Sequence, residues 1–201
     1  MRLLPLLLFG LCVPASADRL LSIPTGRKIP FGTVRFEAMS ELSRGRAQEY
    51  FLGFGLTTYF DVEVRSEYFS GSDPAGSFDV SYNFIAPIPD ITPGISVGVQ
   101  DALDNLRDGR RFYGAFTLRP VFSTINGDVP ADLTLGFFLG THSAPFAGGT
   151  IPFSREFRLL YEYNGIRITS GLEVLPRPDL ALRLVFRDED VLGSVQYTRR
   201  F

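Results

Sequence analysis

An alternation of period two recurs along almost the whole chain and restricts what it can fold into. Phe60, Val62, Val64 and Tyr68 alternate with Asp61, Glu63, Arg65 and Glu67. Phe78, Val80, Tyr82 and Phe84 alternate with Asp79, Ser81 and Asn83. Phe157, Leu159, Tyr161 and Tyr163 alternate with Glu156, Arg158, Leu160 and Glu162, and Leu180, Leu182, Leu184 and Phe186 with Ala181, Arg183, Val185 and Arg187. Successive side chains of a strand point to opposite faces, so each run is a strand with one apolar face. No stretch carries a convincing helical stripe.

Turn signals separate the runs: Ser70 to Gly76, Pro87 to Gly94, Asp108-Gly109, Asn126-Gly127, Asn164-Gly165 and Pro176 to Asp179. They predict strands near residues 32–40, 48–57, 59–69, 77–85, 94–101, 111–121, 131–140, 145–151, 155–163, 165–175, 179–187 and 190–201. The expected fold is all-β, a single antiparallel up-and-down transmembrane barrel of about twelve strands, with ten as the alternative count.

Alternation alone does not say which face meets water. In a soluble sandwich the apolar faces meet each other; in a membrane barrel they meet lipid and the charges line the lumen. Three features favour the membrane. Arg2, the apolar run Leu3 to Val13 and Ala15-Ser16-Ala17 form an export leader with a cleavage site, giving a mature start at Asp18. The last strand sets Val191, Gly193, Val195, Tyr197 and Phe201 on one face and ends on an aromatic, read here as an insertion signal carried by Tyr197 and Phe201. Aromatics such as Tyr59, Phe60, Tyr68, Phe69, Phe84, Phe112, Phe122 and Tyr163 cluster near strand ends, as an interfacial girdle requires. Arg199 breaks the apolar face and is tolerable only near the interface. Residues 1–17 are then a signal peptide, 18–31 a periplasmic lead-in and 32–201 the barrel, in the outer membrane of a Gram-negative-type envelope.

The expected partners follow from this placement: outer-membrane lipid, the barrel-assembly machinery and a polysaccharide or export partner. A net charge of -2 gives no basic excess for nucleic acid. The single cysteine, Cys12, lies in the leader, so the mature chain has no thiol for disulfides or thiolate metal sites. No cofactor is expected.

Several short segments resemble one family. Ile23-Pro24-Thr25-Gly26 followed by Gly32-Thr33-Val34 resembles the opening motif of YjbH-like outer-membrane barrels. Pro93 to Asp101 resembles that family's strand ending in aspartate, Glu162-Tyr163-Asn164-Gly165 resembles its turn, and Gly171 and the ending Tyr197 to Phe201 also fit. The resemblance implies an envelope barrel associated with exopolysaccharide production and export, and no catalytic site.

The polar faces supply the most informative constellation: Arg35, Glu37, Asp61, Glu63, Arg65, Glu67, Asp79, Glu156, Arg158, Glu162, Arg167, Glu173, Arg183 and Arg187 are expected to share one lumen. Their signs are balanced, which favours a stiffening network, with a polar conduit for a glycan as the competing reading. His142-Ser143 could suggest a lipid hydrolase, but neighbours on a strand point to opposite faces and no orienting acid lies close in sequence. Asp188-Glu189-Asp190 reads as a solvated hairpin tip rather than a calcium site. Gly53-Phe54-Gly55 and Gly148-Gly149 lack the strand–helix context of a phosphate loop and read as places of close packing or bending.

The sequence therefore points to a non-enzymatic outer-membrane barrel linked to exopolysaccharide export. A small porin-like channel, a barrel-embedded lipid hydrolase and a soluble periplasmic β protein are the alternatives. Mass spectrometry of the envelope form should give Asp18 as its first residue; retention of Met1 there would contradict the leader.

Overall fold

A computed structural model describes residues 19–201, so the leader, its cleavage site and Cys12 lie outside the described residues. The fourteen strands are β1 (Thr33–Glu41), β2 (Ala47–Gly55), β3 (Phe60–Phe69), β4 (Ala75–Ile85), β5 (Gly94–Gln100), β6 (Arg111–Leu118), β7 (Val121–Thr124), β8 (Gly127–Pro130), β9 (Leu133–Gly140), β10 (Ala144–Pro152), β11 (Phe157–Tyr163), β12 (Ile168–Arg177), β13 (Leu180–Arg187) and β14 (Asp190–Arg200). Twelve form a closed antiparallel barrel in which sequence neighbours pair and β1 closes on β14. All twelve expected strands are present, including the glycine-rich β10. β7 and β8 form a separate hairpin in the β6–β9 connection, turning at the expected Asn126-Gly127.

The faces are sorted as lipid demands. Phe36, Leu52, Val64, Val97, Leu135, Leu182 and Val195 are exposed on the outside, while Arg35, Glu37, Glu63, Glu162 and Arg183 are buried inside. This is the inverse of a soluble β protein and fits an outer-membrane barrel. Arg199 points outward at the last pair but one of β14, opposite Val34, and its guanidinium lies 5.6 Å from the Phe201 ring centroid. That places it at the barrel rim, where a charge on the lipid side is cheap.

Residues 19–31 correct the expectation of a lead-in outside the barrel: they run through the lumen. Leu20, Leu21, Ile23 and Ile29 are buried, as are Arg19 and Thr25. An eight-stranded barrel is filled by its own side chains, whereas twelve strands enclose more space, and here the chain supplies the filling. Inward glycines make room for this plug. A Cβ on Gly53 would collide with Ile29, on Gly55 with Pro30, and on Gly148 with Ile23. Gly26 and Gly94 pass so closely that a Cβ on either would strike the other's carbonyl oxygen. The close packing expected of Gly53, Gly55 and Gly148 is therefore packing against the plug.

Leu184 sits mid-strand on the lipid face and Arg183 beside it in the lumen. Leu184→Arg should cost about 2–4 kcal/mol near the midplane and lower the folded fraction in bilayers. Arg183→Leu should leave membrane insertion intact yet weaken the barrel in denaturant titration, because it removes one partner of a buried ion pair. Insertion kept by Leu184→Arg and lost by Arg183→Leu would invert the face assignment.

Candidate functional site

The lumen holds two kinds of polar contact. One kind fixes the plug by its backbone. The Glu162 carboxylate accepts N–H bonds from Leu21 at 3.1 Å, Ser22 at 2.9 Å and Ile23 at 3.2 Å, and a further bond from the Ser22 hydroxyl. Three successive amides converging on one carboxylate form an anion nest, here closed by the protein's own side chain. The tight turn that aims them carries a bond from Leu20 N–H to Ile23 O at 3.1 Å.

Farther along, Ser96 Oγ donates to Thr25 O at 2.8 Å and Asn83 Nδ2 to Gly26 O at 2.6 Å. The Gly26 N–H donates to Thr117 Oγ1 at 2.7 Å, and Ile29 N–H to Asp61 Oδ2 at 3.0 Å. An irregular segment in a low-dielectric interior must satisfy its amides, and the inward side chains of β3, β4, β5, β6 and β11 do so.

The other kind is an ion-pair lattice. Glu37 accepts from Arg19 Nη2 at 2.6 Å, Arg183 Nη1 at 3.0 Å and Ser194 Oγ at 2.6 Å. Glu63 pairs with Arg35 and with Arg19 Nε at 3.1 Å. Glu173 accepts from Arg183 Nε at 2.8 Å. Arg65 bonds Glu67 at 3.0 Å and faces Asp79 at 3.7 Å, while Arg187 bonds Glu49 at 2.8 Å. The Arg19 guanidinium also lies 3.4 Å from the Phe51 ring centroid. Planar guanidinium groups bridging two carboxylates explain why the lumen uses arginine rather than lysine.

Twelve of the fourteen expected lumen charges lie on inward faces of barrel strands. The other two are corrections. Glu156 lies in the exposed turn before β11, because Ser154 Oγ accepts its N–H at 3.1 Å and bonds its carboxylate at 3.0 Å. That local serine turn starts the strand later than the alternation suggests. Arg167 lies at the rim between β11 and β12, facing Asp108 and Asp188, each at 3.7 Å.

Other charges were missed. Glu41, Glu49 and Arg111 share the inward parity of their strands and were legible from it. Arg19 and Arg27 stand outside the barrel strands, where no alternation marks them, while Arg119 and Asp132 lie just beyond β6 and just before β9, within the expected strands 111–121 and 131–140 and on their inward parity. The tight turn before β10 holds His142 exposed, with Ser143 Oγ accepting from Gly140 N–H at 3.3 Å. Asp188-Glu189-Asp190 lies at the β13–β14 turn, and Glu189 reaches Arg44 at 3.5 Å. Among the described residues no group of His, Cys, Asp or Glu could hold a metal ion.

Asp101, just past β5, organises the far rim. Its carboxylate accepts the N–H groups of Asn105 and Leu106, both at 2.9 Å, and its own N–H donates to Asp79 at 2.7 Å. Burial opposes ionisation, but bonds from Ser77, Asn105 and Leu106 outweigh it and hold the Asp101 carboxyl below the ordinary aspartate range.

A cavity of about 560 Å³ lies at the end that carries Gly32 and Phe201. A smaller one, about 90 Å³, lies near the opposite rim. The plug backbone runs between them. In comparisons with known proteins, the chain matches no family model and no curated protein.

Replacing Glu162 with Ala should leave three plug amides without their acceptor. Each buried amide left unpaired costs about 1–3 kcal/mol, so the plug should loosen before the barrel does. Hydrogen exchange at Leu21, Ser22 and Ile23 should accelerate at least about tenfold while the barrel strands stay protected. Unchanged protection at those three amides would mean that Glu162 does not anchor the plug.

Proposed function

We propose that this chain is an outer-membrane barrel serving as a structural or transport component of exopolysaccharide export, closed at rest by its own N-terminal segment. The observation carrying the reading is the plugged charged lumen inside an apolar-faced barrel. Lipid-facing Phe, Leu and Val supply the membrane part of the argument. The family resemblance of Ile23 to Gly26, Pro93 to Asp101 and Glu162 to Gly165 supplies the glycan part, and these same segments lie at the plug and its anchors.

Closure favours this reading over a constitutively open porin. The plug is held by hydrogen bonds at Glu162, Asp61, Asn83, Ser96 and Thr117, and the ion pairs around Glu37 and Glu63 include the plug residue Arg19. A porin keeps a water-filled path, whereas this lumen is crossed by ordered backbone. Release of the plug is the event that would open a passage.

The purified barrel should migrate differently before and after boiling and fractionate with outer membrane. In planar bilayers it should show no steady open current, and a variant lacking residues 19–29 should conduct. A strain without the protein should secrete less exopolysaccharide, restored by the full chain. Unchanged secretion would overturn the export role, and a steady large conductance of the full chain would overturn resting closure.

A further inference from the structure

The 560 Å³ cavity has a wall chemistry that neither the plug nor the ion-pair lattice explains. It is bounded by the plug, by the β7–β8 hairpin at Asp128, Val129 and Pro130, and by the turn that follows β12. Seven arginines and four carboxylates line it, and Arg19, Arg177 and Arg183 are matched by Glu37, Glu63 and Asp179 outside the lining.

The arginines short of acid are Arg27, Arg119 and Arg158. Arg27 and Arg119 share one carboxylate, Asp132. Arg119 Nε pairs with Asp132 Oδ1 at 3.0 Å. Among the described residues Arg158 has one ion pair, with Glu173 at 3.8 Å, and that carboxylate is already bonded to Arg183. Arg158 Nε is also buried without a hydrogen-bond partner. Three guanidinium groups thus meet around less than their complement of acid, and buried cations persist at low cost only when paired. Arg119 shows the strain: burial first, then the charge of Arg27, brings its guanidinium down to about 10 against the pull of Asp132.

The lining also includes the apolar side chains of Leu20, Val129, Leu160 and Leu175. The volume falls within the ~300–1,000 Å³ range of small-molecule sites.

We propose that this cavity binds a small organic anion, its carboxylate or phosphate held by Arg27, Arg119 and Arg158 and its less polar body lying against Leu20, Val129 and Leu160. Arginine forks suit both acid groups, and an incoming anion supplies the charge that Asp132 and Glu173 do not. The proposal needs only the folded barrel and stands apart from the export reading.

Calorimetric titration of the refolded full chain in detergent tests it, with digalacturonate, glucose 6-phosphate and inorganic phosphate as probes. Digalacturonate binding alone identifies a carboxylate ligand, and glucose 6-phosphate binding alone a phosphate ester. Either organic probe should saturate and bind more tightly than inorganic phosphate. The double variant Arg119→Gln with Arg158→Gln should bind at least about tenfold more weakly. Its thermal midpoint without ligand should not fall, because the substitutions relieve crowding among like charges. Arg44→Gln, at the opposite rim, should bind as the parent does.

A heat-modifiable barrel that binds none of the probes overturns the proposal. So does unchanged affinity in the double variant, or inorganic phosphate binding as tightly as the organic acids. A lowered midpoint in the double variant, with no binding by the parent, would mean that these arginines only brace the fold.

Discussion

Closure of β1 on β14 is the interaction on which the rest of the structure depends. Nine residue pairs, from Thr33 with Arg200 to Glu41 with Leu192, convert an open sheet into a ring without edges. In hydrocarbon there is no water to satisfy an unpaired strand, so a sheet that faces lipid must close. Closure then fixes the inside and the outside. Once the ring is shut, Phe36 and Tyr197 can face only outward and Arg35 and Glu37 only inward.

A closed ring of this size creates its own problem, which is how to fill the interior. The solution combines the two ways in which buried polar groups are tolerated. Carboxylates and guanidinium groups pair across the lumen, and the remaining acceptors take amides from a segment threaded between them. Glu162 and Asp61 belong to the second group although they look like lattice members in sequence. Arg19 joins the two, since it belongs to the plug yet bridges Glu37 of β1 and Glu63 of β3. Filling and closing the lumen are therefore one structural act.

The packing is uneven along the barrel. Around Ile23 and Phe146 the plug and barrel wall meet in a compact apolar cluster with Leu20, Tyr113, Ala115 and Phe138. Toward the rim that carries Gly32 and Phe201, Arg27, Arg119 and Arg158 crowd a space that side chains do not fill. A guanidinium group avoids others of its kind unless acid separates them, and the acids there are too few. Structure and charge thus diverge at one end of the barrel.

Period-two patterning, with the turn signals between its runs, marked about twelve strands, their order and which residues share a face; the outward placing of the apolar face rested on the leader and the aromatics as well. The pattern marks faces because a strand exposes its two faces by strict alternation, and lipid and lumen demand opposite chemistry. Hence Leu182 and Arg183 were legible, and Glu49 and Arg111 were recoverable by the same parity. Glu156 was misread because a serine turn overrides alternation at a strand end. Only the tertiary structure decided the fate of residues 19–31. A segment without a period carries no mark of the surface it will meet, and its partners on the barrel wall lie 18 to 141 residues away. The same holds for Arg27, and its meeting with Arg119 and Asp132, at the ends of expected strands, comes about only because barrel closure brings them and the plug to one rim.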